Sequence, residues 1–294
     1  MSCDMLVSAP AKINIGLRVL PVRKDGYHEI ESIFQTIPIF DILQINRYYS
    51  KVSCCDVICN DLVLPKRNTL TIAYNAFCEL TGVTDSIQVK LQKNIPTGAG
   101  LGGGSSDAAM LINALDKIYE THLTLGDKSK IASVVGSDVF FFLDCGLTES
   151  DYSRCAVVTG RGENVKYIQP RQDLFFLMIC PDVHSSTKEA YQVVDNWYAP
   201  NWKWDGPLAV NLENVYNSLV ADWSFVNSFT NPLVQRFPVI GEALQDLKDA
   251  GASYIQMSGS GSAVFGVFET SALVDSANLL LCKKWRKCFS FTSF

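Results

Sequence analysis

The residues best suited to chemistry lie in one short stretch, Ile95-Pro96-Thr97-Gly98-Ala99-Gly100-Leu101-Gly102-Gly103-Gly104-Ser105-Ser106-Asp107-Ala108-Ala109, with five glycines in seven positions. Glycine allows positive φ and leaves no Cβ in the way of a bulky ligand. Ser105 or Ser106 is a good N-cap for a following helix. Outward-pointing N–H groups that lead into a helix N-terminus make an anion site, so this loop is expected to wrap the phosphates of a nucleotide. The alternative is a flexible linker or a tight turn, but linkers lack hydrophobic periodicity on both sides and this loop has it. Four other places carry reactive side chains. Lys12 and Asn14 alternate with Ala11, Ile13, Ile15 and Leu17, so they share a strand face, either the solvent side or a functional one. Tyr27-His28 follows the turn signal Asp25-Gly26. Asp138 stands just ahead of the apolar run Val139-Phe140-Phe141-Phe142-Leu143, as a simple N-cap or as an available carboxylate. Ser258-Gly259-Ser260-Gly261-Ser262 reads as a turn between strands.

The surrounding elements must position these groups. Periodicity predicts a strand or strand pair over 5–20, further strands over 29–46 with Pro38 as a break, and alternation over 51–64. A helix is expected over 68–80, capped by Thr69, then a strand over 86–92, the glycine loop, and a four-turn helix marked by Ala108, Leu111, Ile112, Leu115, Ile118 and Tyr119. A phosphate-binding loop belongs between such a strand and helix. Helix 127–135 closes at Gly136, and a hairpin spans 155–168. A second set holds a central strand over 174–180, a capped helix start at Ser185–Tyr191, helices over 212–225 and 238–250, strands at 253–257 and 263–268, and a final helix over 270–282. Residues 197–204, with three tryptophans, read as a loop or lid. Mixed elements in two successive sets predict two α+β layers side by side.

Composition narrows the partners. At 294 residues the chain has ample core for one large or two ordinary domains. A net charge of −5 and the absence of a basic stripe speak against nucleic acid or an acidic membrane, though not against a small anion. No apolar run approaches the roughly 18 residues of a membrane helix. The first residues lack a basic leader pattern. Of ten cysteines only Cys54, Cys55 and Cys59 cluster, without C-x-x-C or a nearby histidine, so buried free thiols in a reducing cytoplasm are expected. Gly98-x-Gly100-x-x-Gly103 fits the dinucleotide pattern, but it lacks the early βαβ context and the later acidic residue. There is no G-x-x-x-x-G-K-[ST], H-R-D or D-F-G text, which excludes the usual P-loop and protein-kinase machinery.

Three segments carry a resemblance. Pro96 through Ala109 resembles the Gly-Leu-Gly-x-Ser-Ser phosphate loop of the GHMP kinases, small-molecule kinases without a Walker motif. Ser8 to Ile15 resembles that family's first motif, and Met257 to Phe265 its third. Asp25-Gly26-Tyr27-His28, Gly136 to Leu143 and the triple glycine resemble the branch that acts on a cytidyl diphosphate ester of methylerythritol. The resemblance runs from about residue 8 to 268. Phe140 departs from a usual proline and Arg161 from a small aliphatic residue, while residues 195–210 match nothing.

The resemblance implies an α+β, two-domain GHMP kinase fold: an N-terminal nucleotide-binding α/β sandwich over 1–168, and a C-terminal ferredoxin-like α+β domain over 169–294 that contributes to the acceptor site. It implies ATP as donor with Mg²⁺, and transfer of the γ-phosphoryl to the 2-hydroxyl of the methylerythritol moiety in the non-mevalonate isoprenoid pathway. Pro96, Gly98, Ala99, Gly100, Leu101, Gly102, Gly103, Gly104, Ser105 and Ser106 would grip ATP, with Asn68 bordering the adenine. Asp138 would accept the hydroxyl proton and Lys12 would stand beside it. A carboxylate held by Lys⁺ is a weak base, so Asp138 would act largely by orientation, with late proton transfer. Asn14, Tyr27, His28, Thr187 and Tyr191 would hold the acceptor, with Tyr27 and Tyr191 flanking the pyrimidine. No dedicated carboxylate pair for a metal is visible, so Mg²⁺ would rest on phosphate oxygens, water and Ser106. A monomer or homodimer is expected. The rivals are a family member acting on mevalonate, homoserine or a sugar, and a non-catalytic metabolite sensor on the same fold.

Overall fold

A computed structural model describes residues 4–50, 52–60, 62–148, 151–183, 186–198 and 206–293. The expected lid over 197–204 and the helix-capping Ser185 lie largely or wholly outside them. The contacts divide the chain into two compact units. The first comprises Met1–Ala11, Ile39–Ile95 and Gly102–Tyr152, and the second Lys12–Pro38, Pro96–Leu101 and Ser153–Phe294.

The chain begins with strands β1 (Met5–Val19), β2 (Ile30–Tyr48) and β3 (Cys55–Cys59), then helix α1 (Thr69–Thr81) and strand β4 (Ser86–Gln92). β1 is buried on both faces: Ala9, Ala11, Ile13 and Ile15 are fully buried, and so are Lys12 and Asn14. The face that carries Lys12 is therefore not a solvent face. β2 is one 19-residue strand through Pro38, not the broken set expected. It pairs with β5 (Cys155–Gly160) over Ile30–Gln35 and with β4 over Ile42–Tyr48. Pro38 falls between these two registers, so its missing N–H costs neither of them a bond.

In the first unit β3 runs parallel to β4, and β4 antiparallel to β2. Asn68, not Thr69, caps α1. Its Oδ1 accepts from the N–H groups of Leu70 and Thr71 at 3.0 and 3.1 Å, and Thr71 Oγ1 accepts from Asn68 N at 3.0 Å. Such a reciprocal box stabilises a helix by about 1 kcal/mol. Helix α2 (Gly103–Tyr119) is buried continuously from Ser106 to Leu115. Helix α3 (Leu125–Val135) and the single turn α4 (Val139–Phe142) follow.

In the second unit β5 forms the expected hairpin with β6 (Asn164–Ile168). β7 (Phe175–Ile179) lies inside a second, antiparallel sheet, between β10 (Cys288–Thr292) and β9 (Val264–Phe268), with β8 (Tyr254–Met257) beyond β9, where its continuous apolar text belongs. Helices α5 (Thr187–Tyr198), α6 (Leu212–Tyr216), α7 (Thr230–Arg236) and α8 (Pro238–Asp249) precede β8 (Tyr254–Met257) and β9 (Val264–Phe268). Helix α9 (Ser271–Leu281) and strand β10 (Cys288–Thr292) complete it.

The helix expected over 212–225 stops at Tyr216, with only a 3-10 turn at Val220–Asp222. Arg171 Nη1 donates to the carbonyls of Tyr216 and Ser218 at 3.1 and 2.8 Å, taking acceptors that a continuing helix would use. α7 and β10 were not anticipated; both are short, and β10 lies at the edge of its sheet.

Candidate active site

Three glycines of the loop, Gly98, Gly100 and Gly102, take φ of +66°, +77° and +71°. The loop's first part, to Leu101, belongs to the second unit and its last residues, from Gly102, to the first.

In the second unit, residues 99–101 are held by the first and third motif segments. Lys12 N donates to Leu101 O at 2.9 Å, and Ala263 N to Ala99 O at 3.2 Å. Ser258 Oγ donates to Gly100 O at 3.0 Å and accepts from Asn14 N at 3.2 Å. A Cβ on Gly100 would lie 2.2 Å from the Ser258 carbonyl oxygen, so only glycine fits there. Asn227 Nδ2 ties the turn from below, donating to Met257 O and Gly259 O at 2.7 and 2.8 Å. Lys12 Nζ donates to Asn14 Oδ1 at 2.6 Å and lies 4.5 Å from the Phe34 ring centre. Asn14 Nδ2 in turn donates to Ser32 Oγ at 3.0 Å. The buried ammonium is thus placed by a short polar chain.

In the first unit, neither serine caps α2. The N-cap is Gly102, which has no side chain to offer, and Ser105 and Ser106 fall in the first turn, their N–H groups donating to Gly102 O at 3.0 and 2.9 Å. A 17-residue helix whose cap brings no side-chain acceptor leaves its leading N–H groups for an anion. Ser106 Oγ is buried with no hydrogen-bond partner among the described residues. Gly104 has neither positive φ nor a tight neighbour: a Cβ there would meet Thr69 Oγ1 at an ordinary 3.5 Å. The free protein gives no reason for glycine at that position, whereas a close ligand does.

A charged cluster that the sequence reading missed lies under this turn. Lys93 Nζ pairs with Asp41 and, at 2.8 Å, with Asp107 Oδ2. Asp41 Oδ1 accepts from the N–H groups of Asn94 and Ile95 at 2.7 and 2.8 Å, immediately before the loop. Burial pushes the Asp107 carboxyl up to about 7, with Lys93 pulling it down and Asp41 pushing it up. Burial also works against the Lys93 ammonium, but the two carboxylates outweigh it and hold its pKa above the ordinary lysine value. One signal was visible in the sequence: Asp107 is a charge at the start of an otherwise apolar helical stripe.

Asp138 belongs to the first unit. It stands at the N-cap position of α4, half-buried, yet its side chain makes no capping bond, so the simple-cap reading does not hold. Asn68 Nδ2 donates to Pro65 O at 3.0 Å, so both ends of its amide serve the start of α1.

The aromatic residues belong to the second unit. Tyr27 is 53% exposed on a tight turn, with Arg23 N donating to Tyr27 O at 2.7 Å and Tyr27 N to Asp25 Oδ1 at 3.2 Å. His28 Nδ1 lies 2.7 Å from Leu20 O, so that nitrogen carries a proton, and Nε2 faces Asp195 Oδ1 at 3.4 Å. The His28 ring stacks on Tyr191, centres 4.9 Å apart at 25°, and Phe229 stands edge-on to Tyr191 at 5.0 Å. Thr187 Oγ1 is 3.3 Å from Ser260 Oγ. Among the described residues no group of three or more His, Cys, Asp or Glu side chains could hold a metal, and no helix is long and apolar enough to cross a membrane.

The chain matches the GHMP kinases N terminal domain over residues 68–146 and the GHMP kinases C terminal domain over 211–287. It belongs to the GHMP kinase family. Within that family it is similar to the 4-diphosphocytidyl-2-C-methyl-D-erythritol kinase of Treponema pallidum (strain Nichols), with 38% identity over 293 residues, 97% of each chain. It is 33% identical to that of Chlorobium limicola over 284 residues, 94% of this chain and 92% of the other. A crystal structure of 4-(cytidine 5'-diphospho)-2C-methyl-D-erythritol kinase superimposes with a TM-score of 0.77 at 29% identity, covering 98% of both chains. A homoserine kinase from Cytophaga hutchinsonii, at TM-score 0.69 and 19% identity, shares the fold.

Proposed function

We infer that this chain transfers the γ-phosphoryl group of ATP to the 2-hydroxyl of 4-diphosphocytidyl-2-C-methyl-D-erythritol, a step towards isoprenoid precursors. The observation that carries the reading is the glycine turn that opens α2 without a side-chain cap, in a chain 38% identical over its length to kinases of that name. Residues 98–106 cradle the phosphates through backbone N–H groups, Pro96, which has no N–H, lines the cradle, and Asn68 borders the adenine. ATP binding is assigned to residues 1–168, and part of the acceptor site to 169–294.

The orphaned Ser106 hydroxyl fits a hard cation, so Ser106 and the triphosphate oxygens would hold Mg²⁺, which neutralises phosphate charge when bound. The chain's own residues do the rest. Lys12, fixed by Asn14, supplies positive charge to the acceptor hydroxyl. The hydroxyl oxygen bonds to phosphorus as the bond to the ADP oxygen breaks, and the hydroxyl proton passes to Asp138. Phosphoryl transfer has a loose transition state, so orientation outweighs basicity. Tyr27 stacks on the cytosine, His28 reads its edge, Tyr191 supports the ring on the other side, and Thr187 lies near the diphosphate. The free thiols and the absence of a membrane-spanning helix among the described residues support a cytoplasmic enzyme.

The test is ADP release from purified protein with ATP, Mg²⁺ and a panel of acceptor alcohols. Turnover is expected with the cytidyl diphosphate substrate. Turnover with mevalonate or homoserine but not with that substrate overturns the reading.

A further inference from the structure

We propose that Arg161 is a specificity-determining residue: its guanidinium braces the Tyr27 ring from one face, so that the other face is presented to the base of a pyrimidine nucleoside diphosphate. The inference rests on the reading of Tyr27 as the stacking residue. The register brings the two residues together. β2 and β5 pair up to Ile30↔Gly160, so the chain leaving β5 at Arg161 lies beside the chain entering β2 from Tyr27 and His28. Gly160 and Gly162, at φ +70° and +120°, turn the hairpin tip sharply around Arg161, whose N–H donates to Glu163 Oε2. The guanidinium carbon ends 4.2 Å from the Tyr27 ring centre.

A second arginine in the same unit shows what a structural pair looks like. Arg171 faces the buried Trp223 at 5.6 Å, but its guanidinium also binds Asp173 at 2.6 Å and two carbonyls. Among the described residues no carboxylate pairs with the Arg161 guanidinium, and the ring it covers is more than half exposed, so the contact contributes nothing to a core. What it does is fix one rotamer of an exposed aromatic ring. A ring fixed in advance loses less freedom when a base stacks on it. Arginine suits this task, since its planar guanidinium stacks flat and stays charged, whereas a lysine ammonium is a strongly hydrated point.

The test is a double-mutant cycle on Tyr27→Ala and Arg161→Ala, with Arg161→Lys alongside. It is read as KM for the cytidyl diphosphate substrate, KM for ATP, and kcat, with calorimetric binding of CDP as a readout independent of turnover. Arg161→Ala is expected to raise KM for the cytidyl substrate and Kd for CDP by about 3–10-fold, leaving kcat and KM for ATP within about twofold. Arg161→Lys restores little, and in the Tyr27→Ala background Arg161→Ala adds nothing. A normal KM in Arg161→Ala beside a raised KM in Tyr27→Ala overturns the proposal and leaves the stacking reading standing. An undiminished effect in the Tyr27→Ala background overturns it in favour of a direct charge on the diphosphate. A normal KM in Tyr27→Ala removes the stacking reading and the brace with it.

Discussion

The surroundings of Gly103 and of Tyr27 are opposites. Beneath Gly103 lies a buried ionic cluster: Lys93, Asp41 and Asp107 have side chains 8%, 0% and 3% exposed, and a Cβ on the glycine would press on Ile95, Lys93 and Asp41 at 3.1–3.3 Å. Around Tyr27 the ring and the Arg161 guanidinium over it are open to solvent, and the tyrosine is tied by its backbone, while the adjacent His28 ring is held by Leu20 O. The difference suits the two ends of the proposed reaction. A triphosphate is gripped by backbone dipoles, which work only if held in fixed directions, and buried charges hold them. A base is gripped by ring faces, which tolerate small displacements and need only be oriented in advance.

If the buried cluster is what holds the loop, Lys93→Met should have the largest effect on stability. Removing one partner of a buried ionic cluster leaves uncompensated charge, at a cost of about 3–5 kcal/mol. Chemical denaturation measures it, and a loss no larger than that of a surface substitution would break the contrast. The glycines give a finer division. Gly100→Ala forces a Cβ against the Ser258 carbonyl at positive φ, so it should lower stability by about 1–3 kcal/mol as well as weaken ATP binding. Gly104→Ala should leave the melting temperature nearly unchanged, since its Cβ meets only Thr69 at an ordinary 3.5 Å, while ATP binding weakens if the proposed phosphates lie against that position.

The smallest expected effect sits at the far end of α2. Burial opposes the Asp116 charge, but bonds from Leu123 N, Lys128 and Thr121 outweigh it and hold its carboxyl below the usual range. A depressed carboxylate contributes stability above its unfolded pKa, and that stability is lost as pH falls through the folded value. Asp116→Asn should therefore lower stability modestly at pH 7, where the carboxylate's contribution is fully present, and flatten the acid limb of the stability–pH curve, the two proteins converging below about pH 4, measured by urea unfolding across pH 3–7.

Local signals were legible in the sequence and distant ones were not. The alternation around Lys12 and Asn14, the strand–loop–helix order around the glycines and the apolar run of β7 each depend on neighbours in the chain, and all appear as expected. Asp41 stands 52 residues from Lys93 in an ordinary-looking strand, and only the fold makes it a partner. The break after Tyr216 follows from Arg171, 45 residues away. The serine cap gave way to Gly102 because the left-handed turn there suits glycine and places both serines one turn further in. The residues at 136–143 marked Asp138, but only the structure shows that its side chain is not spent on capping.

The central claim is that the glycine loop binds ATP while the chemistry belongs to residues far away in sequence. The most direct measurement compares Asp138→Asn with the unaltered protein, by calorimetric ATP binding and by turnover of the cytidyl diphosphate substrate in the same preparation. The account predicts a Kd for ATP within about twofold and a kcat lowered by about 10²–10⁴-fold. A near-normal kcat, or ATP binding lost together with turnover, would contradict it.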